Sequence, residues 1–307
     1  MSVVTLRIAT RGSALARWQA DHVARLLRRA AHVAGVSLAA EVVVVETSAD
    51  RRLDVPIFEM GGKGVFVKEV QAAVLEHRAD VAVHSAKDLP SLTPEGLVLA
   101  AVPQRGDPRD ALVGRTLASL PPGAVVASGS LRRRAQLARL RPDLVFEGLR
   151  GNITTRLERI PAGGAIVMAV AAITRLGIDL AGVEHEILSP EVMLPQVGQG
   201  ALAIECRSGD EDLRDLLSRV EHPASRSAVD AERAFLAELG GDCSLPAGAY
   251  ATVEDRTGVI RLDGMLATAD GTTVLRHATE GADPVLLGRA VARHLLEEQG
   301  GAALLPG

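Results

Sequence analysis

The segment HSAKDLP (84–90) places a carboxylate, Asp88, directly after an ammonium, Lys87, at the end of an apolar run, and it is the densest chemical signal in the chain. A carboxylate in a site lined with cations stays ionised, because neighbouring positive charge lowers its pKa. In that state it stabilises a cation that develops on a bound substrate and positions a proton. The cations come from other junctions of the same kind. Arg11 and Ser13 follow the apolar run 3–10, and Ser85 stands just ahead of Lys87. Ser128, Ser130, Arg132 and Arg133 follow the run 123–128. Arg150 ends the run 144–149, Arg156 comes soon after it, and Arg175 follows the run 165–170. Guanidinium groups take carboxylates bidentately, at about 1.5–3 kcal/mol per charged hydrogen bond. The ligand they imply is a small polyanion with several carboxylates.

Two cysteines differ in setting. Cys243 sits in GGDCSLPAG (240–248), among glycines that permit unusual backbone angles and close approach of a ligand. Cys206, inside ALAIEC, reads as buried and inert. His84 stands on a strand end and reads as structural. No His–Cys dyad activates the thiol as a protease nucleophile. MGGKGVF (60–66) fails as a phosphate-binding loop, since Ile57 stands where a glycine is needed and no hydroxyl follows Lys63. VGQGALA has the spacing of a dinucleotide fingerprint without the strand that must precede it. No metal-ligand spacing occurs. Only three lysines are present, Lys63, Lys68 and Lys87, among 34 basic residues. A composition this rich in arginine makes a persisting lysine notable, because a compact ammonium is not replaced by a planar guanidinium.

These residues need a scaffold. Runs 3–10, 41–47, 79–85 and 96–102 read as strands, with a helix capped by Ser13 (apolar Leu15, Trp18, Val23, Leu26, Leu27) and another over 66–77 between them. A second series follows the punctuation PQRGDPRD (103–110), with strands at 123–128, 144–149 and 165–170, each leading into a helix. Prolines in 189–196 close it. Strand 200–207 and helices over 210–220 and 222–241 come next, then three strand-like runs near 247–253, 257–265 and 272–278 and a last helix over 284–298. Alternation of strands and helices predicts βαβ units and a parallel sheet. Ligands of such sheets sit beyond the carboxyl ends of the strands, at helix N-termini, so the arginines are expected to converge on one cleft. The tail reads as a small α+β domain.

The bulk properties agree. A chain of 307 residues is expected to hold two or three domains. Its 47% hydrophobic and 23% charged residues exclude a disordered or collagen-like chain. A net charge of −4 gives no basic footprint for nucleic acid. No apolar run reaches the ~18 residues of a membrane span, and the N-terminal apolar stretch is too short for a signal peptide. Two cysteines build no disulfide framework, so a reducing cytoplasm is expected.

Taken together, IATRGSALARWQ, GGKGVFVKE, ADVAVHSAKDLP, GSLRRRAQL, LRGNITTRL, AITRLG, VGQGALAIECR and GGDCSLPAG resemble the porphobilinogen deaminase (hydroxymethylbilane synthase) family in order and spacing over essentially the whole chain. The resemblance implies a transferase that joins four porphobilinogen molecules head to tail into 1-hydroxymethylbilane, with loss of four ammonia. It implies a dipyrromethane cofactor held by a thioether on Cys243 and a catalytic carboxylate at Asp88. It gives Arg11, Ser13, Lys87, Arg132, Arg133, Arg150, Arg156 and Arg175 the acetate and propionate groups, with Gln19, Ser85, Ser128 and Ser130 as secondary contacts. Lys63 and Phe66 fall on the family's mobile loop. The implied fold is two periplasmic-binding-protein-like α/β lobes plus a small C-terminal α+β domain, bounded as 1–103 with 196–220, 104–195, and 221–307. The implied protein is a cytoplasmic monomer without nucleic-acid or membrane partner. The chain departs from the family at Gly129, where many members carry a hydroxyl, at Glu59, where many carry lysine, and at Asp242, which replaces a glycine. The competing reading is a non-enzymatic two-lobed anion-binding protein, which leaves Cys243 idle. A nucleotide-dependent transferase needs a phosphate loop that the sequence lacks.

Overall fold

The computed structural model describes residues 4–47, 67–241 and 245–305. Lys63, Phe66, Glu59, Asp242 and Cys243 lie outside the described residues. The chain divides into two compact units, 1–105 with 201–226, and 106–200 with 227–307.

The first unit is built on strands β1 (Val4–Arg11), β2 (Leu38–Val45), β3 (Val81–Ser85) and β4 (Leu97–Ala101). Helix α1 (Ala14–Val33) follows β1, and α2 (Lys68–Leu75) precedes β3. Ala20, Val23, Ala24 and Leu27 put one stripe of α1 against Ile8, Val81 and Val83, while Val70, Ala73 and Val74 of α2 cover Ala9 and Ala82 on the other face. A strand covered on both sides reads as a continuous apolar run, and for that reason these strands are legible in the sequence.

The second unit holds β5 (Asp110–Val113), β6 (Val125–Ala127), β7 (Val145–Glu147), β8 (Ala165–Ala169) and β9 (His185–Leu188). Its helices are α3 (Leu131–Leu140), α4 (Ile153–Leu157) and α5 (Val170–Arg175). The chain then returns to the first unit for β10 (Leu202–Arg207) and α6 (Glu211–Ser218).

The sheets hold the expected parallel βαβ pairings, and each adds one strand whose antiparallel direction the sequence did not reveal. The first sheet has the order β2-β1-β3-β10-β4 and the second β7-β6-β8-β5-β9. In the first, β10 runs antiparallel to both neighbours; in the second, β5 does. The remaining strands are mutually parallel. Both odd strands lie at a chain crossing: β5 is the first strand after entry into the second unit, and β10 the first after the return. With the antiparallel strand set aside as n and the other four numbered in chain order, both sheets read 2-1-3-n-4. These are the two α/β lobes that the resemblance implied.

The small C-terminal part begins with α7 (Pro223–Glu238) and continues through the antiparallel strands β11 (Ala247–Val253), β12 (Ile260–Ala267) and β13 (Val274–Gly281) to α8 (Pro284–Arg293). Helix α7 ends at glycines as expected: Gly240 adopts φ +67°, and the Gly241 N–H donates to the Leu236 carbonyl at 3.2 Å, closing the helix by a left-handed cap. Phe235, fully buried, packs with Leu262, Leu266 and Val291 as the core of this layer.

The VGQG segment is explained by backbone demand. Gly200 has φ +85°, and a Cβ there would lie 2.6 Å from the Gly106 carbonyl oxygen. The Gly106 N–H donates to the Gly200 carbonyl at 3.0 Å. Two chain passages therefore cross at glycines, and no dinucleotide is needed to account for them.

Candidate functional site

The first lobe forms a pocket at the carboxyl ends of β1 and β3, lined among others by Arg11, Ser13, Gln19, His84, Ser85 and Asp88. Each side chain arrives by a simple device. Arg11 is the last residue of β1. Ser13 is the N-cap of α1, its hydroxyl accepting from the Ala16 N–H at 3.3 Å. Asp88 ends a tight 3₁₀ turn, Ala86–Asp88, that starts directly from β3, and the Ala86 N–H is anchored on the Ala201 carbonyl at 3.0 Å. Asp88 and Lys87 are half-buried on this turn. Gln19, buried one turn into α1, donates to the Ser85 hydroxyl at 2.7 Å.

The second lobe repeats the arrangement at the carboxyl ends of β6, β7 and β8. Ser130 caps α3, accepting from the Arg133 N–H at 3.4 Å, and the Ser128 hydroxyl accepts from the Ser130 N–H at 3.2 Å. A Cβ at Gly129 would meet the Leu149 carbonyl oxygen at 3.0 Å, so the glycine suits a tight strand-to-helix turn. Arg150 and Arg156 are half-buried; the Arg156 Nε donates to the Gly151 carbonyl at 2.9 Å. Arg175 donates to the Gly200 carbonyl at 2.5 Å, and burial pulls its pKa down to about 10.

Four hydroxyls thus share one property. Ser13, Ser85, Ser128 and Ser130 each spend an oxygen lone pair on a donor of the protein. A hydroxyl used as an acceptor keeps its own O–H for an anion.

Arg132 and Arg133 are placed differently from the half-buried arginines. Their side chains are 3% and 9% exposed, and both reach Asp110, which is fully buried. Arg132 Nη2 donates to Asp110 Oδ2 at 2.8 Å and Nη1 to the Leu194 carbonyl at 2.6 Å. Arg133 Nη2 donates to Asp110 Oδ1 at 2.7 Å and Nη1 to the Val167 carbonyl at 2.9 Å. Gln199 Nε2 adds a third bond to Asp110 Oδ1 at 2.8 Å. Burial alone would raise the Asp110 pKa; the two guanidiniums outweigh it and hold the carboxyl far below its ordinary value. The Nε–H of each arginine is buried without an acceptor. Sequence reasoning missed Asp110, which follows a turn-rich stretch and looks like part of it. The one available signal was an acid opening the apolar run DALV.

Cys206 is buried, and burial pushes its thiol up to about 11. Its burial is as expected. Among the described residues no cluster of His, Cys, Asp and Glu is suited to a metal.

Comparison with known proteins agrees with this geometry. Residues 6–215 match the family model "Porphobilinogen deaminase, dipyromethane cofactor binding domain", and residues 227–297 match "Porphobilinogen deaminase, C-terminal domain". The porphobilinogen deaminase of Roseiflexus castenholzii is 47% identical over 309 residues, covering 99% of each chain. That of Bacillus pumilus is 43% identical over 299 residues, covering 96% of this chain and 94% of its own. Among solved structures, lipoprotein Tp32 from Treponema pallidum is similar at a TM-score of 0.42 and 12% identity, over 71% of this chain and 90% of that one. With an acid on a strand-end turn, hydroxyl and guanidinium donors at both sheet ends, and these matches from residue 6 to 297, the chain belongs to the porphobilinogen deaminase family.

Proposed function

We propose that the chain joins four porphobilinogen molecules into 1-hydroxymethylbilane, with Asp88 as the catalytic carboxylate and Cys243 as the thioether anchor of a dipyrromethane cofactor. The observation that carries this is the pocket of the first lobe, which sets Asp88 among Arg11, Ser13 and Ser85 at the ends of two adjacent parallel strands. The donor set fits a pyrrole chain with two carboxylates per ring: half-buried arginines, capped hydroxyls with a free O–H, and the buried Nε–H groups of Arg132 and Arg133. Arg11, Ser13 and Lys87 in the first lobe and Ser128, Ser130, Arg150, Arg156 and Arg175 in the second would hold those acid side chains. When bound, the cofactor supplies the free pyrrole carbon to which substrate is joined. Asp88 stabilises the positive charge that ammonia loss places on the substrate's pyrrole nitrogen, and it holds the proton at that nitrogen. Arginine pairing fixes the ring orientation, so the reacting carbons meet in a defined geometry.

The reading includes three domains, 1–103 with 196–220, 104–195 and 221–307, supported by three separate sheets. It includes a cytoplasmic monomer acting without nucleic acid or membrane, supported by a net charge of −4 and by the absence, among the described residues, of any helix long and apolar enough to cross a membrane.

Intact-protein mass tests it. Protein from a host able to make porphobilinogen should exceed its sequence mass by two deaminated porphobilinogen units, and Cys243→Ser should not. A bare wild-type chain, or an equally loaded Cys243→Ser chain, would overturn the proposal.

A further inference from the structure

We infer that the buried pair His84–Glu205 is a positioning device for the turn that carries Asp88, acting on turnover and not on ligand capture. The inference rests on the reading of Asp88 as the catalytic carboxylate.

The two residues ahead of that turn point to opposite faces of the sheet, as neighbours in a strand must. Ser85 is held on one face by Gln19 of α1, at 2.7 Å. On the other face His84 Nε2 lies 3.2 Å from Glu205 Oε2, an ion-pair approach without hydrogen-bond geometry. The same oxygen accepts from Gln71 Nε2 of α2 at 2.9 Å. Helix α1, strand β10 and helix α2 thus grip the last two residues of β3 from both sides. Backbone register adds to the grip, with Ser85 opposite Leu202 and His84 opposite Ala203.

The Glu205 carboxylate has two side-chain neighbours, Gln71 and His84. It interrupts the apolar run LAIECR, and its side chain is 1% exposed. Val70, Val74 and Ala82 form the apolar cluster on this face. No arginine or lysine pairs with it among the described residues, and its Oε1 is buried without a donor. The imidazole is the one group in contact with it that can carry positive charge. Burying a carboxylate with so few partners is unfavourable. Such an arrangement persists where it fixes something, and His84 itself lines the pocket that contains Asp88. Small displacements of a reacting group cost large factors in rate, so the pair sets the height of the Asp88 turn over the pocket floor.

The test uses full-length, cofactor-loaded protein, with loading read by intact mass. It measures kcat per loaded molecule and KM for porphobilinogen, and a thermal melt of each variant. Glu205→Leu should lower kcat by about 10- to 100-fold, leaving KM and loading within twofold. Glu205→Gln, which still accepts from Gln71, should recover most of that loss. Should Glu205→Leu fail to fold, His84→Gln carries the same expectation for kcat. If kcat per loaded molecule stays within twofold in the variants that fold, whatever their melting temperatures, the inference is wrong and the pair is only structural. Asp88→Asn is measured alongside. Near-normal turnover there removes Asp88 from its role; a dead Asp88→Asn beside active Glu205 and His84 variants removes the present inference alone.

Discussion

Asp110→Asn strands two cations in the interior of the second lobe. The wild-type carboxylate is fully buried and takes one bond from each of Arg132, Arg133 and Gln199, at 2.7–2.8 Å. Arg132 is itself buried, which disfavours its charge, and Arg133 repels it; Asp110 is what opposes both. Breaking a buried ion pair by removing one partner costs about 3–5 kcal/mol, because the other charge is left uncompensated. At roughly 2–4 °C per kcal/mol for a unit of 150–250 residues, the melting temperature should fall by about 6–20 °C. The pH dependence follows from the sign of the shift. The folded-state pKa of Asp110 is lowered, so its contribution is whole above the unfolded-state value near 4 and is lost as pH falls toward the folded value. The gap between wild type and variant should hold steady from pH 8 to about 5 and narrow below about 4. Replacing Arg132 with Met in the Asp110→Asn background should recover part of the loss by removing one stranded charge. Scanning calorimetry or a dye melt reads all three quantities. A melting-temperature change under 2 °C at pH 7.5, or a gap that widens on acidification, would refute the account of Asp110 as counter-ion.

The crossing of the two chain passages predicts that Gly200→Ala destabilises by about 1–3 kcal/mol, from a positive φ and overpacking on the Gly106 carbonyl. Gly209→Ala, with nothing within 4 Å of the new Cβ, should change stability by less than about 0.5 kcal/mol; equal melts for the two would argue against the close approach. Cys206, with a thiol raised to about 11 and a buried side chain, should resist iodoacetamide at pH 8 in a Cys243→Ser background and label only in denaturant. Stoichiometric labelling of the native protein would contradict its burial.

Most strands were legible because a strand covered by helices on both faces must be apolar throughout. The same logic hid β5 and β9. The first is four residues opening with an acid, and the second, HEIL, is an edge strand whose His185 and Ile187 are exposed. Strand direction was not legible at all, since an apolar run looks the same in either sense. At the site, the rule that ligands gather at the carboxyl ends of strands found Arg11, Ser13, Ser85 and Asp88, which line one pocket. It did not separate Arg132 and Arg133, buried on Asp110, from the half-buried Arg150, Arg156 and Arg175. In LRRRAQL three successive arginines point in three directions about a helix, and only the contact with a residue 22–23 positions away decides which are buried. The Gln19–Ser85 and His84–Glu205 contacts span 66 and 121 positions and have no local signature.

Two of the buried acids, Glu205 and Asp110, share one further regularity. Glu205 lies on β10 and Asp110 on β5, the single antiparallel strand of each sheet and the one at the same topological position. Each strand sits inside its sheet, flanked by a strand on either side, where an unpaired charge cannot survive. Each acid therefore fixes a cationisable side chain that the local sequence alone would leave free: His84 before the Asp88 turn in the first lobe, Arg132 and Arg133 after Ser130 in the second. The strand that carries the chain into or back to a lobe also carries the acid that orders that lobe's ligand-facing end. Exchanging the two solutions tests this equivalence. Glu205→Leu should act on kcat with little effect on cofactor loading, whereas Asp110→Asn should act on stability and on loading, because the groups it releases are guanidiniums. If Asp110→Asn left loading intact while Glu205→Leu abolished it, the two acids would not be doing parallel work, and the shared topology would say nothing about the site.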